Sequence, residues 1–585
     1  MVSARGEVGL LRSVSRDPAE WIVCADDDVV AVNKPVGVPC EARDPVLGDA
    51  LAARIAPAFA MRDERDGPPG RAALALHHSL DSGASGVVLY GRTREANAAL
   101  ARQLEDRSVE REFVVGVTGW AGGARVLRHR LTRGEGPAFV VAGRHDGRAR
   151  EAEVHVRVLA RQGERAWLAC AVLRGNPLTL RAQLAAEGSP IVGDALHAVP
   201  AVDEASAPPR LLMHARRLAL RHPRTGAPLV LVAPPPRAFD DWLRRGDVPP
   251  WDDDAVLRDR LEDAARARYG LLAESQHEGA TTTAFRLVNE HGDGLPGLAV
   301  DVYGAHFVAQ FLSDDAMRHE GAILDALASL GPRGVYVKYR PRQANVVVDA
   351  RRDDLAPSLP VRGGATQAAE FEIREHGLGL SVRLGDGLST GLFLDQREAR
   401  CRVRTAVAGA RVLNLFAYTC AFSAAAAAGG AACVVSVDAS REVLARGEQN
   451  VARARAEAGA HGDDRFLRAD VFEALSRMAK SDERFDLVIV DPPTYATTRA
   501  SRWTSGASWR GLVTQCVRVL APGGRLLASS NDRRLGAGRF RRLVDEGVRD
   551  AGRRVRQQRE VPLPRDFPVA AGREPHLKSL LVALD

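Results

Sequence analysis

Lysine is nearly absent from this chain of 585 residues. Four of its 81 basic residues are lysines (Lys34, Lys338, Lys480 and Lys578), so arginine carries the remaining 77. With the many alanines and glycines, this usage fits a GC-rich genome, and arginine also suits phosphate contacts. Paired cysteines are lacking too. The seven cysteines stand at 24, 40, 170, 401, 420, 433 and 516, with none in a CxxC. This excludes a zinc ribbon and a disulfide framework, so no metal is expected and a reducing, cytoplasmic setting is. The first 21 residues hold no signal-like apolar stretch. The longest weakly polar run, 422–437, is mostly Ala and Gly and too short for a membrane span, so no membrane partner is expected. There is no internal repeat.

What is present is globular composition, with 45% hydrophobic and 26% charged residues. At roughly 150 residues per domain the length allows about four units. A net charge of +7 and a pI near 9.2 fit a polyanionic partner. Three successive prolines, a further Pro-Pro and an acidic run mark a boundary over 233–254, followed by helical spacing at Leu257, Leu261, Ala264 and Ala265. Before it, short apolar runs and a few helical patterns suggest an α+β domain, over 1–245. A linker and connecting helix fill 246–275, and strand-like runs suggest a small α+β domain over 276–380. Over 381–585 strands and helices alternate, which predicts a doubly wound, Rossmann-like α/β domain.

In the first region, Asp81 stands in a Ser/Gly-rich turn before an apolar strand, within His77-His78-Ser79-Leu80-Asp81-Ser82-Gly83-Ala84-Ser85-Gly86. An aspartate there is ordinarily a turn-former. Three further blocks accompany it: Lys34-Pro35-Val36-Gly37-Val38-Pro39; Leu180-Arg181-Ala182-Gln183-Leu184 with Gly188-Ser189-Pro190-Ile191-Val192-Gly193-Asp194; and Leu212-Met213-His214-Ala215 with His222-Pro223-Arg224-Thr225-Gly226. In this order the four blocks resemble the ribosomal-type pseudouridine synthases over roughly 20–240. The resemblance implies that Asp81 acts on the sugar or base as nucleophile or base, that Arg181 keeps it ionised, and that Phe113 lies under a flipped uracil, where the family usually has Tyr. Departures are Ser79, where the family has an arginine that takes part in flipping, and Asn176-Pro177-Leu178-Thr179, where it has R-T-H-Q. Two alternatives follow, an active isomerase or an RNA-docking relic.

In the last region, Arg411–Phe416 is an apolar strand entering a small-residue turn without G-x-G-x-x-G, so a dinucleotide pocket is disfavoured. The next strand ends in Asp438, placed to accept both hydroxyls of a ribose. Asp470 follows as an acceptor for an adenine amino group, and Asp491-Pro492-Pro493-Thr494-Tyr495 closes a further strand. Acids at three successive strand ends, with the Pro-Pro step, argue a cofactor site. The region 255–585 resembles class I S-adenosylmethionine-dependent methyltransferases, most closely those of large-subunit ribosomal RNA. Thr390-Gly391-Leu392-Phe393-Leu394-Asp395-Gln396-Arg397 matches their entry block, Asn414–Thr419 their cofactor loop, and Arg286-Leu287-Val288 with Asp293–Leu298 their preceding small domain. This implies S-adenosylmethionine as cofactor, held by Phe393, Asp395, Arg397, Asn414, Phe416, Tyr418, Thr419, Asp438, Asp470, Asp491 and Pro492. Cys420-Ala421 departs from the family's usual Gly and predicts a tighter loop.

Two target atoms compete. Methylating cytosine C5 needs a thiolate to add at C6. The matching subfamily carries S-C-S after P-G-G, whereas here Pro522-Gly523-Gly524 is followed by Ser529-Ser530-Asn531. Guanine N7 already has a lone pair, so placement and charge stabilisation suffice. The resemblance to the guanine-N7 members then implies that Tyr495 stacks the base and that Asp491 and Asn531 bond its edge. The favoured expectation is a bifunctional ribosomal RNA enzyme. The alternative is a cytosine-C5 methyltransferase carrying an inactive docking domain.

Overall fold

The computed structural model describes residues 18–41, 50–56, 74–134, 138–143, 146–197, 210–268, 270–272, 281–340, 353–366, 368–481, 483–493, 495–497, 502–570 and 573–585. Three large sheets follow one another along the described residues. Their order gives the expected architecture, two α+β units and then a doubly wound α/β unit.

The first sheet has eleven strands. At its centre Val29–Lys34, Ser85–Gly91, Met213–Arg221, Glu110–Thr118 and Arg165–Arg174 lie side by side. Ser85–Gly91 is buried at every position, as a strand covered on both faces must be. It runs parallel to Met213–Arg221 through His214–Ser85 and Ala215–Gly86. The approach is so close that a Cβ on Gly86, at φ +114°, would stand 2.3 Å from the Ala215 carbonyl oxygen. Only glycine fits there, and the crossing fixes the turn that carries Asp81.

Helix Pro177–Ala186 packs beside this sheet, and its start explains the unusual Asn176–Thr179. The Asn176 side chain accepts the Thr179 N–H at 3.0 Å, and Thr179 Oγ1 accepts the Asn176 N–H at 2.8 Å, with Pro177 in the first turn. This reciprocal cap stabilises a helix by about 1 kcal/mol. The departure in sequence therefore supplies a helix start and leaves Arg181 on the helix.

The connecting helix runs Asp254–Ala267 and buries Leu257, Leu261, Ala264 and Ala265, the residues its spacing singles out. These pack into the core of the second sheet, so the helix belongs to that unit. It also touches the first unit, because Arg54 Nη2 donates to the Arg266 carbonyl at 3.1 Å. The second sheet has five strands: Ala284–Asn289, Leu298–Tyr303, His306–Phe311, Gly334–Tyr339 and Arg362–Gly363. Only the third and fourth pair in parallel, joined by the crossover helix Glu320–Ser329.

The third sheet runs Asp463–Arg468, Cys433–Asp438, Arg411–Leu415, Phe485–Val490, Leu520–Ser530, Lys578–Leu584 and Val555–Val561. The first five strands are mutually parallel and the last two antiparallel. Side chains alternate in direction along each strand. Leu413 and Leu415 join the layer of Trp509 and Phe540, while Val412 joins Ala426 and Val434 on the other face. Among the described residues no helix is long and apolar enough to cross a membrane.

Arg397 is placed by this framework. Its guanidinium is buried and forms a two-pronged ion pair with the fully buried Asp566. Removing one partner of a buried pair leaves an uncompensated charge and typically costs about 3–5 kcal/mol. Arg397→Met is expected to lower stability by about that amount in urea unfolding of the full chain. Unchanged unfolding would show that the pair contributes little.

Candidate functional site

The carboxyl ends of the five parallel strands converge, the place where open α/β sheets bind ligands. Phe416 follows one end, Asp438 closes the next, and Ala469 with Asp470, Asp491 with Pro492, and Asn531 follow the other three. Together with Phe393, Asp395, Gln396, Tyr418, Phe472 and Leu577 they line a cavity of about 330 Å³. Its walls join apolar rings to carboxylates. That suits a nucleoside, whose flat heterocycle needs apolar cover and whose hydroxyl and amino groups need acceptors. This lining of acceptors and apolar rings thus fits S-adenosylmethionine.

The loop after the first strand is bent unusually. Phe416, Tyr418 and Cys420 all adopt left-handed backbone, at φ +57°, +50° and +58°. For non-glycine residues this costs about 1–2 kcal/mol each, and it is held by bonds to neighbours. The Tyr418 N–H donates to Asp438 Oδ2 at 2.9 Å, and Thr419 Oγ1 donates to the Gly391 carbonyl at 2.6 Å. Asn450 Nδ2 donates to the Thr419 carbonyl at 3.0 Å. Cys420 is tolerated because the facing helix carries Gly447, where a Cβ would stand 2.3 Å from Cys420 Sγ. The loop is tight as expected, and Gly447 supplies the room.

Asp438 also accepts the Ser440 N–H at 2.9 Å, so one carboxylate orients both flanking turns. Asp470 caps helix Val471–Lys480 by accepting the Phe472 and Glu473 N–H groups. The Asp395 carboxylate faces His576 Nε2 at 3.0 Å. Burial alone would raise its pKa, but the bond and charge of His576, with Arg286 and Arg400, hold it below the ordinary carboxylate range. Asp491 behaves oppositely. Burial and the neighbouring Asp395 push it up to about 7, against a hydrogen bond from Gln396.

In the first sheet the Asp81 carboxylate is about one-third exposed and pairs with the buried Arg181. The guanidinium also holds the fully buried Asp194 at 2.5 Å, which faces His197 Nδ1 at 3.1 Å. Burial would favour a neutral Asp194, but His197 and Arg181 keep its pKa far below the ordinary range. The Asp81 turn is stapled from beneath. The buried Lys34 ammonium donates to the carbonyls of Pro35, Val38 and Ser82 at 3.0, 2.9 and 3.3 Å, and the Gly37 N–H donates to Ser82 O at 2.8 Å. Ser79 lines a cavity of about 20 Å³ together with Phe113, Arg111 and Pro177. Phe113 is buried in its strand, paired with Ala215 and Cys170.

Of the residues singled out in the sequence, Phe393, Asp395, Phe416, Tyr418, Asp438, Asp470, Asp491, Pro492 and Asn531 line the large cavity. Three assigned to the cofactor, Arg397, Asn414 and Thr419, are not among the lining residues. Arg397 is spent on Asp566. Asn414 is buried, donating to Ser423 Oγ at 2.9 Å, and Thr419 ties the loop to Gly391. All three shape the site from behind. Tyr495 begins the short strand Tyr495–Thr497, and its side chain lies outside the described residues. Sequence reasoning missed Gln396, Phe472 and Leu577. Gln396 occupies the variable place of a recognised block, Phe472 reads as an ordinary helix apolar residue, and Leu577 arrives from the distant C-terminal segment. None of the seven cysteines lines the cavity. Burial pushes the Cys420 thiol up to about 12, and Cys516 higher still.

Comparison with known proteins divides the chain likewise. Residues 346–582 match the family of S-adenosylmethionine-dependent methyltransferases, and residues 28–186 match RNA pseudouridylate synthase. "Putative ribosomal RNA large subunit methyltransferase YwbD" of Bacillus subtilis (strain 168) is 34% identical over 320 residues, covering 54% of this chain and 76% of that protein. Ribosomal RNA large subunit methyltransferase I of Klebsiella pneumoniae (strain 342) is 32% identical over 350 residues, covering 56% and 83%. A solved human structure, RNA Pseudouridylate Synthase Domain Containing 4, aligns at 22% identity with a TM-score of 0.33, covering 41% of this chain and 97% of that one.

The Cys420–Gly447 contact predicts a mutational rescue. Gly447→Ala overpacks the loop and is expected to cost about 1–3 kcal/mol in urea unfolding. Adding Cys420→Gly removes the sulfur and its left-handed strain, and should restore most of the loss. Additive effects in the double variant would refute the contact.

Proposed function

The chain belongs, through its C-terminal part, to the S-adenosylmethionine-dependent large-subunit ribosomal RNA methyltransferases, and on that premise we propose that it methylates N7 of a guanine in that RNA and isomerises a uridine to pseudouridine, in the cytoplasm. The convergence of five strand ends on one carboxylate-lined cavity carries the methyl-transfer reading. When bound, the cofactor supplies an electrophilic methyl group on sulfur. Asp438 accepts the ribose hydroxyls and Asp470 the adenine amino group, while Phe416 and Phe472 cover the ring. Asp491 and Asn531 bond the edge of the target base, which Tyr495 stacks. Guanine N7 would take the methyl group through its own lone pair as the methyl–sulfur bond breaks and S-adenosylhomocysteine leaves, and the Asp395 and Asp491 carboxyls would stabilise the positive charge that the base gains. Cytosine C5 would need a thiolate, and the absence of any cysteine from the cavity lining supports N7.

For the isomerisation, Asp81 acts at the sugar or base as nucleophile or base. The N1–C1′ bond then breaks, the uracil turns, and C5 bonds to C1′ while the C5 proton is lost and N1 takes up a proton. Arg181, itself anchored by Asp194, pairs with Asp81 and orients it. Phe113 supports the flipped ring. A second reading, RNA docking without isomerisation, is favoured by Ser79, which stands where the resembling family has an arginine that takes part in flipping, although Arg111 and Arg217 line the same small cavity.

Nucleoside mass spectrometry of ribosomal RNA from cells lacking this gene, treated with the purified chain, separates these activities. Asp81→Asn should abolish new pseudouridine and leave methylation intact. Asp438→Ala should weaken cofactor binding by about 1–3 kcal/mol in calorimetry, roughly 5–150-fold. Wild-type protein that makes no pseudouridine supports docking alone. Unchanged cofactor binding in Asp438→Ala removes its assignment.

A further inference from the structure

Gln396 is used by no step above, yet it lines the cavity and is buried to 2% exposure. It ends the one-turn segment Leu394–Gln396, so Asp395 and Gln396 enter the site as neighbours. Its Nε2 donates to Asp491 Oδ2 at 2.8 Å, while its buried Oε1 has no hydrogen-bond partner among the described residues. A buried acceptor left unpaired is costly, so the amide must be doing something that outweighs the orphan. Its surroundings show what that is. Two carboxyls, Asp395 and Asp491, share the cavity, and both cannot ionise unless donors separate them. Asp395 has His576, with Arg286 and Arg400 beyond. Asp491 has the Gln396 amide and the more distant Arg400 charge, and Asp438, Asp470 and Asn531 line the same cavity.

We propose that Gln396 is a positioning residue that holds Asp491 oriented and ionised, so that Asp491 can accept hydrogen bonds from the edge of the target base. This rests on the reading that the base meets Asp491, and it holds for either base, because guanine N1–H and N2–H and cytosine N4–H are all donors. A protonated Asp491 would present its own O–H to those donors and lose the base. Burial and Asp395 already raise Asp491 to about 7, and the Gln396 bond opposes them. Without the amide the carboxyl protonates at still higher pH, and methyl transfer fails over a wider acid range.

The test is the pH profile of kcat/KM for RNA methylation by the full chain, with cofactor affinity measured by calorimetry at each pH. Wild-type activity should rise through about pH 7. Gln396→Leu, similar in size but without a donor, should move that midpoint up by about one unit, the worth of one hydrogen bond. Activity would then be about tenfold lower at pH 6.5 and recover above pH 8.5, with cofactor affinity at pH 8.5 unchanged. Gln396→Asn, whose shortened amide no longer reaches Asp491, should move it the same way and decides the matter if Gln396→Leu does not fold, while Asp395→Asn, which removes the like charge, should move the midpoint down. A midpoint unmoved in Gln396→Leu, with Asp491→Asn inactive, overturns the positioning role alone. Full activity of Asp491→Asn at every pH overturns the base-edge reading beneath it.

Discussion

The C-terminal half depends on one buried carboxylate. Asp566 receives the Arg397 guanidinium and the Arg286 backbone N–H at 2.7 Å, while its own carbonyl accepts Arg268 Nη2 at 2.7 Å. Arg286 then pairs with Asp301 at 2.5 Å and lies over the Phe567 ring at 4.6 Å. Asn289 Nδ2 reaches the Pro568 carbonyl at 2.8 Å. The segment around Asp566 is thus a wedge between the small sheet and the methyltransferase sheet. Because Arg397 directly follows Asp395 and Gln396, anchoring it also sets the turn that delivers those two into the cavity. A charge this deeply buried holds only while all its donors stay in place.

The scarcity of lysine has a structural counterpart. Carboxylates in this protein are met by arginine, whose planar fork matches two oxygens at once, as at Arg397–Asp566 and Arg400–Glu375. Two of the four lysines do something a fork does poorly. Lys34 and Lys338 are both buried, and each ammonium gathers backbone carbonyls converging from different directions. Lys34 holds the turn carrying Asp81, and Lys338 donates to the Leu384 carbonyl at 2.6 Å and to that of Gly387, just before the entry block of the methyltransferase. A compact group with three rotatable donors suits such a task. Each site is therefore stapled from behind by a lysine.

Much of this was legible in the sequence, for a physical reason. Strand periodicity and the acids at strand ends are local patterns, so the doubly wound sheet and Asp438, Asp470 and Asp491 could be placed directly. What was not legible depends on contacts between distant segments. Arg397 lies beside Asp395 in sequence but faces Asp566, and nothing in the entry block reveals a partner 169 residues away. Gln396 sat at a variable place, and its role emerges only when Asp491 comes within 2.8 Å. Asn176–Thr179 read as a defect, and becomes a helix cap once the two side chains are seen to answer each other's N–H groups.

The methylated atom separates the two base chemistries. Methylation at N7 leaves the guanine with a fixed positive charge and a labile glycosidic bond. Large-subunit ribosomal RNA from cells lacking the gene should therefore be incubated with the purified chain and S-adenosylmethionine, then treated with borohydride and aniline. Strand scission is expected at one guanine, dependent on both enzyme and cofactor. Intact RNA carrying 5-methylcytosine, or a trapped covalent complex with 5-fluorocytosine RNA, would contradict it.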